Sequence, residues 1–98
     1  MTVSYSRRSL AQIAEIIAFL AVDDARTSSA FSRRIEALAA LLGRHPHIGR
    51  QTNIASVRVL PAKPYPYLIF YELEATGTGI TVLRVRHMSR NDDWRRGR

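Results

Sequence analysis

The segment Tyr67-Leu68-Ile69-Phe70-Tyr71-Glu72-Leu73 constrains this chain more than any other. It reads as a strand, and alternation along a strand sends Tyr67, Ile69, Tyr71 and Leu73 to one side and Leu68 and Phe70 to the other. A strand that is apolar on both sides leaves its sheet with two faces to cover. The loop Ala75-Thr76-Gly77-Thr78-Gly79 leads into a second strand, Ile80 to His87, which carries Arg84, Arg86 and His87 into a basic C-terminus. One sheet face can be buried in the protein's own core. The other, apolar with basic neighbours, reads as a binding surface first and a candidate active face second.

The residues upstream supply the first cover. Val3-Ser4-Tyr5 is a short strand. Ser9 opens a helix, with Gln12 three residues on in capping-box spacing, and Leu10, Ile13, Ile16, Ile17 and Leu20 recur at helical spacing. Asp23-Asp24 ends that helix and caps the next, because a carboxylate accepts from the free N–H groups of a first helical turn. Phe31, Ile35, Leu38, Leu41 and Leu42 form a second stripe, closed by Gly43 as a left-handed C-cap with Pro46 soon after. Residues 44–56 read as a loop and Val57 to Leu60 as a short strand. Pro61, Pro64 and Pro66 then enforce a rigid turn. The expected architecture is α+β: an N-terminal strand and a helical hairpin packed on one face of a three- to four-stranded antiparallel sheet. Residues 1–94 form a single domain and Arg95-Arg96-Gly97-Arg98 a flexible basic tail.

Ninety-eight residues suit one domain with one core. No cysteine is present, which removes disulfides, thiolate zinc sites and thiol catalysis together. No signal peptide is recognisable, and no apolar run reaches the roughly 18 residues that cross a bilayer. The expectation is a cytoplasmic protein with no membrane association. The net charge of +7 is unevenly held: residues 1–43 carry five basic and four acidic side chains, residues 44–98 ten and four. That asymmetry calls for an anionic partner, either nucleic acid or an acidic protein segment.

Chemical motifs are sparse. His45-Pro46-His47 lacks a third ligand nearby, so no metal is expected. Gly77-Thr78-Gly79 lies between strands and is a turn, not a phosphate cradle. Asp23-Asp24 and Asp92-Asp93 make no acid–base dyad. What remains is Arg58, Lys63, Arg84, Arg86, His87 and Arg90, with Tyr65, Tyr67 and Tyr71. Cations stabilise phosphate charge and histidine or tyrosine moves protons, so this set can cleave RNA without metal. It can equally bind an acidic partner or nucleic acid.

Several blocks in order resemble the RelE/ParE toxin superfamily, the toxin halves of bacterial toxin–antitoxin (plasmid-stabilisation) modules. They are the helix after Ser9, the helix ending in Leu41-Leu42, Pro46-His-Ile-Gly-Arg50, Val57-Arg58, Pro64-Tyr-Pro-Tyr-Leu-Ile-Phe-Tyr71 and Ile80-Thr-Val-Leu-Arg-Val-Arg-His87. The resemblance implies one of two activities. RelE-like members cleave messenger RNA on the ribosome with basic residues on the sheet; here Arg58, Arg84 and His87 are the matching candidates. ParE-like members poison DNA gyrase and lack that set. Tyr67-Leu68, Leu60 and Met88 stand where the nuclease branch carries basic residues, and Trp94 cannot transfer a proton. The ParE-like branch is therefore the expectation, with no cofactor and a ParD-like antitoxin as partner. Its docking surface is expected on Tyr67, Leu68, Ile69, Phe70, Arg84, Arg86 and Arg90, with the ribosome and mRNA as the alternative target to gyrase.

Overall fold

The computed structural model describes residues 1–89. In chain order the elements are β1 (Thr2–Tyr5), α1 (Arg7–Asp23), α2 (Ala25–Arg44), β2 (Arg50–Gln51), β3 (Val57–Pro61), β4 (Tyr67–Leu73) and β5 (Gly79–His87). The strands build one sheet in the order β1-β5-β4-β3-β2. All neighbours are antiparallel except β1 and β5, which run parallel with Val3 beside Ile80 and Tyr5 beside Val82. The α+β expectation holds, but the sheet is five-stranded and mixed. Two strands account for the difference. The helical hairpin supplies the long crossover that a parallel pair requires, so β1 joins the last strand. The two residues of β2 are too polar and too short to stand out from their loop.

The helices start and stop at different residues from those expected. Ser6, not Ser9, caps α1: its hydroxyl accepts from the Ser9 N–H at 3.0 Å and donates to the Leu83 carbonyl at 2.9 Å. Ser9 is buried and donates back to the Ser6 carbonyl. Asp24 ends α1 and opens α2, its Oδ1 accepting from the Arg26 N–H at 2.8 Å, as the acidic pair indicated. Gly43 is not a left-handed cap. α2 continues through it to Arg44, and the His45 N–H bonds the Leu41 carbonyl. A Cβ at position 43 would come within 2.9 Å of the Met1 carbonyl, so close approach of the N-terminal residue is what this glycine permits. Leu10, assigned to the buried stripe, faces solvent, and its neighbour Ser9 takes the buried position instead.

One core lies between helices and sheet. Ile16, Phe31, Ile35, Leu38 and Leu42 meet Tyr67, Ile69, Tyr71, Ile80, Val82 and Val85. A second, smaller cluster joins Val57, Val59, Leu68 and Phe70, with Leu83 packed against it, on the opposite side of the sheet. A β-bulge in β5 makes this division work. Phe70 pairs with Arg84 and Tyr71 with Val82, so Leu83 has no opposite number. The extra residue reverses the alternation. Ile80, Val82 and Val85 all reach the helix side, whereas an unbroken strand would have aimed Arg84 and Arg86 into the core beside Val82. Among the described residues, no helix is long and apolar enough to cross a membrane.

Candidate functional site

β1 pairs only with residues 79–82 of β5. From Leu83 onward β5 is therefore a sheet edge, and side chains of the first helical turns close it. Ser6 bonds the Val82 and Leu83 carbonyls through its N–H and hydroxyl, and the Gln12 Oε1 accepts from the Val85 N–H at 2.7 Å. With its backbone groups so occupied, this edge offers side chains to a partner.

Those side chains are cationic. Arg84 and Arg86, turned outward by the bulge, meet Arg8 of α1, and the three form a ridge between two hollows. The first hollow lies against α1 and is lined by Gln12, Glu15, Ile16, Phe19, Tyr67, Val85 and His87 with the three arginines. The second, on the outer sheet face, is lined by Ile54, Val57, Phe70 and Leu83 with the same three arginines. Phe19 is 67% exposed. Burial lowers the pKa of Arg84 from its ordinary value, and the guanidiniums of Arg8 and Arg86 push it the same way. Among the described residues neither Arg8 nor Arg84 has a carboxylate within ion-pairing distance. Like charges gathered beside exposed apolar surface are unfavourable alone and favourable once an anionic group arrives.

Of the three nuclease candidates, Arg84 and His87 line the same hollow and Arg58 lies apart from them. Arg58 pairs with Tyr71 and Arg84 with Phe70, and neighbouring residues of one strand face opposite ways, so the two arginines lie on opposite sides of the sheet. The Arg58 guanidinium is engaged in the loop before β2, donating to the carbonyls of Gly49 at 2.7 Å and His47 at 3.3 Å and to the Gln51 Oε1 at 3.3 Å. His87 packs edge-on to Tyr67, centroids 5.2 Å apart, at the far end of β5, and its Nδ1 accepts from the Ser89 N–H. The docking residues divide as well. Ile69 points into the helix-side core and away from a partner surface, while Tyr67, packed in the same core, also lines the first hollow. Leu68 and Phe70 lie on the outer face but are only 5% and 6% exposed, held in the second cluster. Arg84 and Arg86 are on the ridge. Arg90, with Asp92, Asp93, Trp94 and the basic run 95–98, lies outside the described residues. His45 and His47 are exposed, and no group of three metal-ligating side chains occurs among the described residues.

Sequence reasoning missed Arg8 and Phe19. The signal was present: Arg8, Gln12, Glu15 and Phe19 follow at helical spacing along one side of α1. Their polar and aromatic mixture hid them behind the cleaner apolar stripe.

Tyr71 anchors the other side of the molecule. Fully buried, it accepts from the Gly49 N–H at 2.9 Å and donates to the Pro46 carbonyl at 2.8 Å. Burial raises its pKa, against the smaller opposing effects of the Gly49 N–H and Arg58. Below the ordinary phenol value of about 10, folded and unfolded chains both keep this proton and it leaves stability unchanged. Above that value the unfolded chain loses the proton first, so stability falls as pH rises. Urea midpoints taken at about pH 8 and about pH 10.5 are expected to show a smaller alkaline fall for Tyr71→Phe than for the parent. An equal fall in both proteins would remove Tyr71 as the cause.

The fold and the ridge can now be set beside known proteins. The structure is similar to that of the chromosomal ParDE toxin–antitoxin system from P. aeruginosa, with a TM-score of 0.77 at 18% identity over 91% of this chain and 97% of that one. It is also similar to a YoeB/ParE toxin from Agrobacterium tumefaciens, with a TM-score of 0.59 at 17% identity over 89% and 98% of the two chains. At these identities the likeness is one of fold. A search of curated proteins finds no match. The family model described as the ParE toxin of the type II toxin–antitoxin system parDE matches residues 3–92. That match spans nearly the whole sequence, and the chain belongs to the ParE toxin family of type II toxin–antitoxin systems.

Proposed function

We propose that the protein acts by binding DNA gyrase, without turnover, and that a ParD-like antitoxin neutralises it by docking along the ridge of Arg8, Arg84 and Arg86. The observation that carries the antitoxin half is the ridge itself: three guanidiniums between two partly apolar hollows, with neither Arg8 nor Arg84 in an ion pair among the described residues, although Glu15 lines the first hollow. An acidic, apolar segment answers both features, its carboxylates at the arginines and its apolar side chains in the hollows. Ordering such a segment costs entropy that apolar burial offsets. Of the docking residues expected from sequence, Arg84 and Arg86 keep the central part and Phe70 lines the outer hollow, with Leu68 packed beside it in the second cluster. The gyrase half rests on the ParE family match. It is supported by the separation of Arg58, on the other face of the sheet, from Arg84 and His87, since cleavage of an RNA phosphodiester requires its groups around one phosphate. A gyrase target places the protein in the cytoplasm.

Two assays in parallel test the reading. Purified protein at micromolar concentration is expected to inhibit gyrase supercoiling and accumulate cleaved DNA, while translated mRNA in a coupled extract stays intact. Unimpaired supercoiling with folded protein, or site-specific cuts in the mRNA, would sink the gyrase assignment. Arg84→Glu is expected to weaken binding of the antitoxin encoded beside it roughly 10- to 100-fold. Unchanged affinity would remove the ridge from the interface.

A further inference from the structure

The loop from Arg44 to Arg50 takes no part in the ridge. It crosses the helix-side face where the helices do not reach, over β3 and β4, at the other end of the sheet order from the β5 edge. Two side chains of the sheet fix its backbone. Tyr71 holds the Pro46 carbonyl and the Gly49 N–H, Arg58 holds the His47 and Gly49 carbonyls, and the Ile48 N–H closes on the His45 carbonyl at 3.1 Å. The peptide groups on either side of Ile48 are therefore tied down, yet its side chain is 46% exposed and belongs to neither core cluster. Around it a shallow hollow is lined by Leu41, Pro46, His45, His47 and Arg44. Arg44 and Arg50 are exposed, and among the described residues neither forms an ion pair.

A loop built only to close the core would turn its isoleucine inward. This one holds an apolar residue exposed at a fixed position, with Arg44 lining the same hollow and Arg50 exposed two residues along the chain. Fixing a contact residue before binding removes ordering cost from the association. An apolar anchor beside cations fits a protein surface bearing an apolar pocket and carboxylates, whereas a phosphate backbone would engage the arginines and leave the anchor idle.

We propose that Ile48, presented by the Tyr71–Arg58 clamp and flanked by Arg44 and Arg50, is the anchor through which this toxin engages an acidic-rimmed apolar pocket on its protein target, separately from the antitoxin ridge. The proposal rests on the toxin reading but not on gyrase being the target, and growth arrest is the readout that separates them. Parent, Ile48→Asp and the Arg44→Glu/Arg50→Glu pair are induced in a bacterial host at matched protein levels. The purified variants are checked for melting temperature and for affinity to the cognate antitoxin. Ile48→Asp is expected to need at least about 10-fold more protein for arrest, with melting temperature and antitoxin affinity near those of the parent. Undiminished arrest by Ile48→Asp overturns the proposal. So does an arrest lost in the arginine pair but kept in Ile48→Asp, which marks an electrostatic contact of nucleic-acid type. Loss of antitoxin affinity in Ile48→Asp overturns it as well, by assigning the loop to the antitoxin. A parent that arrests growth without inhibiting supercoiling overturns the gyrase assignment alone, and a parent that does not arrest growth overturns both.

Discussion

Replacing Gly49 by alanine is expected to lower the melting temperature by roughly 10–25 °C. A Cβ there would sit 2.6 Å from the Tyr71 hydroxyl, 2.8 Å from its ring and 2.9 Å from the Val59 carbonyl. None of these is the far end of a flexible side chain. The ring is fully buried, and its hydroxyl bonds the Gly49 N–H and the Pro46 carbonyl, so it cannot retreat without breaking the contacts that close the loop. Overpacking costs about 1–3 kcal/mol, and a buried hydroxyl left without partners costs about as much again. Near the lower end of that sum, about 2.5–3 kcal/mol at about 4–8 °C per kcal/mol for a domain of this size gives the stated range. Thermal melts of the two purified proteins decide the matter. A fall of only a degree or two means the loop shifts freely and is not clamped.

Phe31→Ala is the second large effect, with an expected loss of about 3–5 kcal/mol. Phe31 is fully buried and is the point at which α2 grips the sheet, edge-on to Tyr65 at 5.3 Å and to Tyr67 at 5.5 Å. Deleting the ring removes its transfer free energy and both aromatic contacts, and three surrounding elements cannot collapse fully into the space. Against a total stability of about 5–15 kcal/mol for ordinary domains, this leaves a chain close to unfolding. The urea midpoint should drop while the slope of the transition stays near that of the parent. A loss below about 1 kcal/mol would show that α2 is held mainly elsewhere.

How much of this was legible in the sequence depended on whether a residue's place follows from its neighbours along the chain. The helical stripes and the strands at Tyr67–Leu73 and Ile80–His87 are local patterns, and they appear nearly as expected. Asp24 is legible for the same reason, since capping is a local act. Arg58 is not. In the sequence it is one more cation on a strand, and only the pairing with Tyr71 and the absence of a helix above it turn it inward to the loop. The bulge at Leu83 was equally hidden, although it decides which face receives Arg84 and Arg86. Composition showed the excess of basic side chains in the second half of the chain. It could not show that Arg8, some seventy-five residues from Arg84 and Arg86, completes the cluster.

The parallel pairing of β1 with β5 has a consequence for synthesis. The strand made first is hydrogen-bonded only to the strand made last, and β5 also supplies the partner of β4. Such sequence-distant pairing is slow to form and comes late in folding. A nascent chain that has emerged as far as the hairpin helices has neither the β5 edge that carries the arginine ridge nor the Tyr71 that clamps the loop. A ribosome that stops before residue 67 therefore releases a fragment that has neither surface, and both form only once β5 has been made.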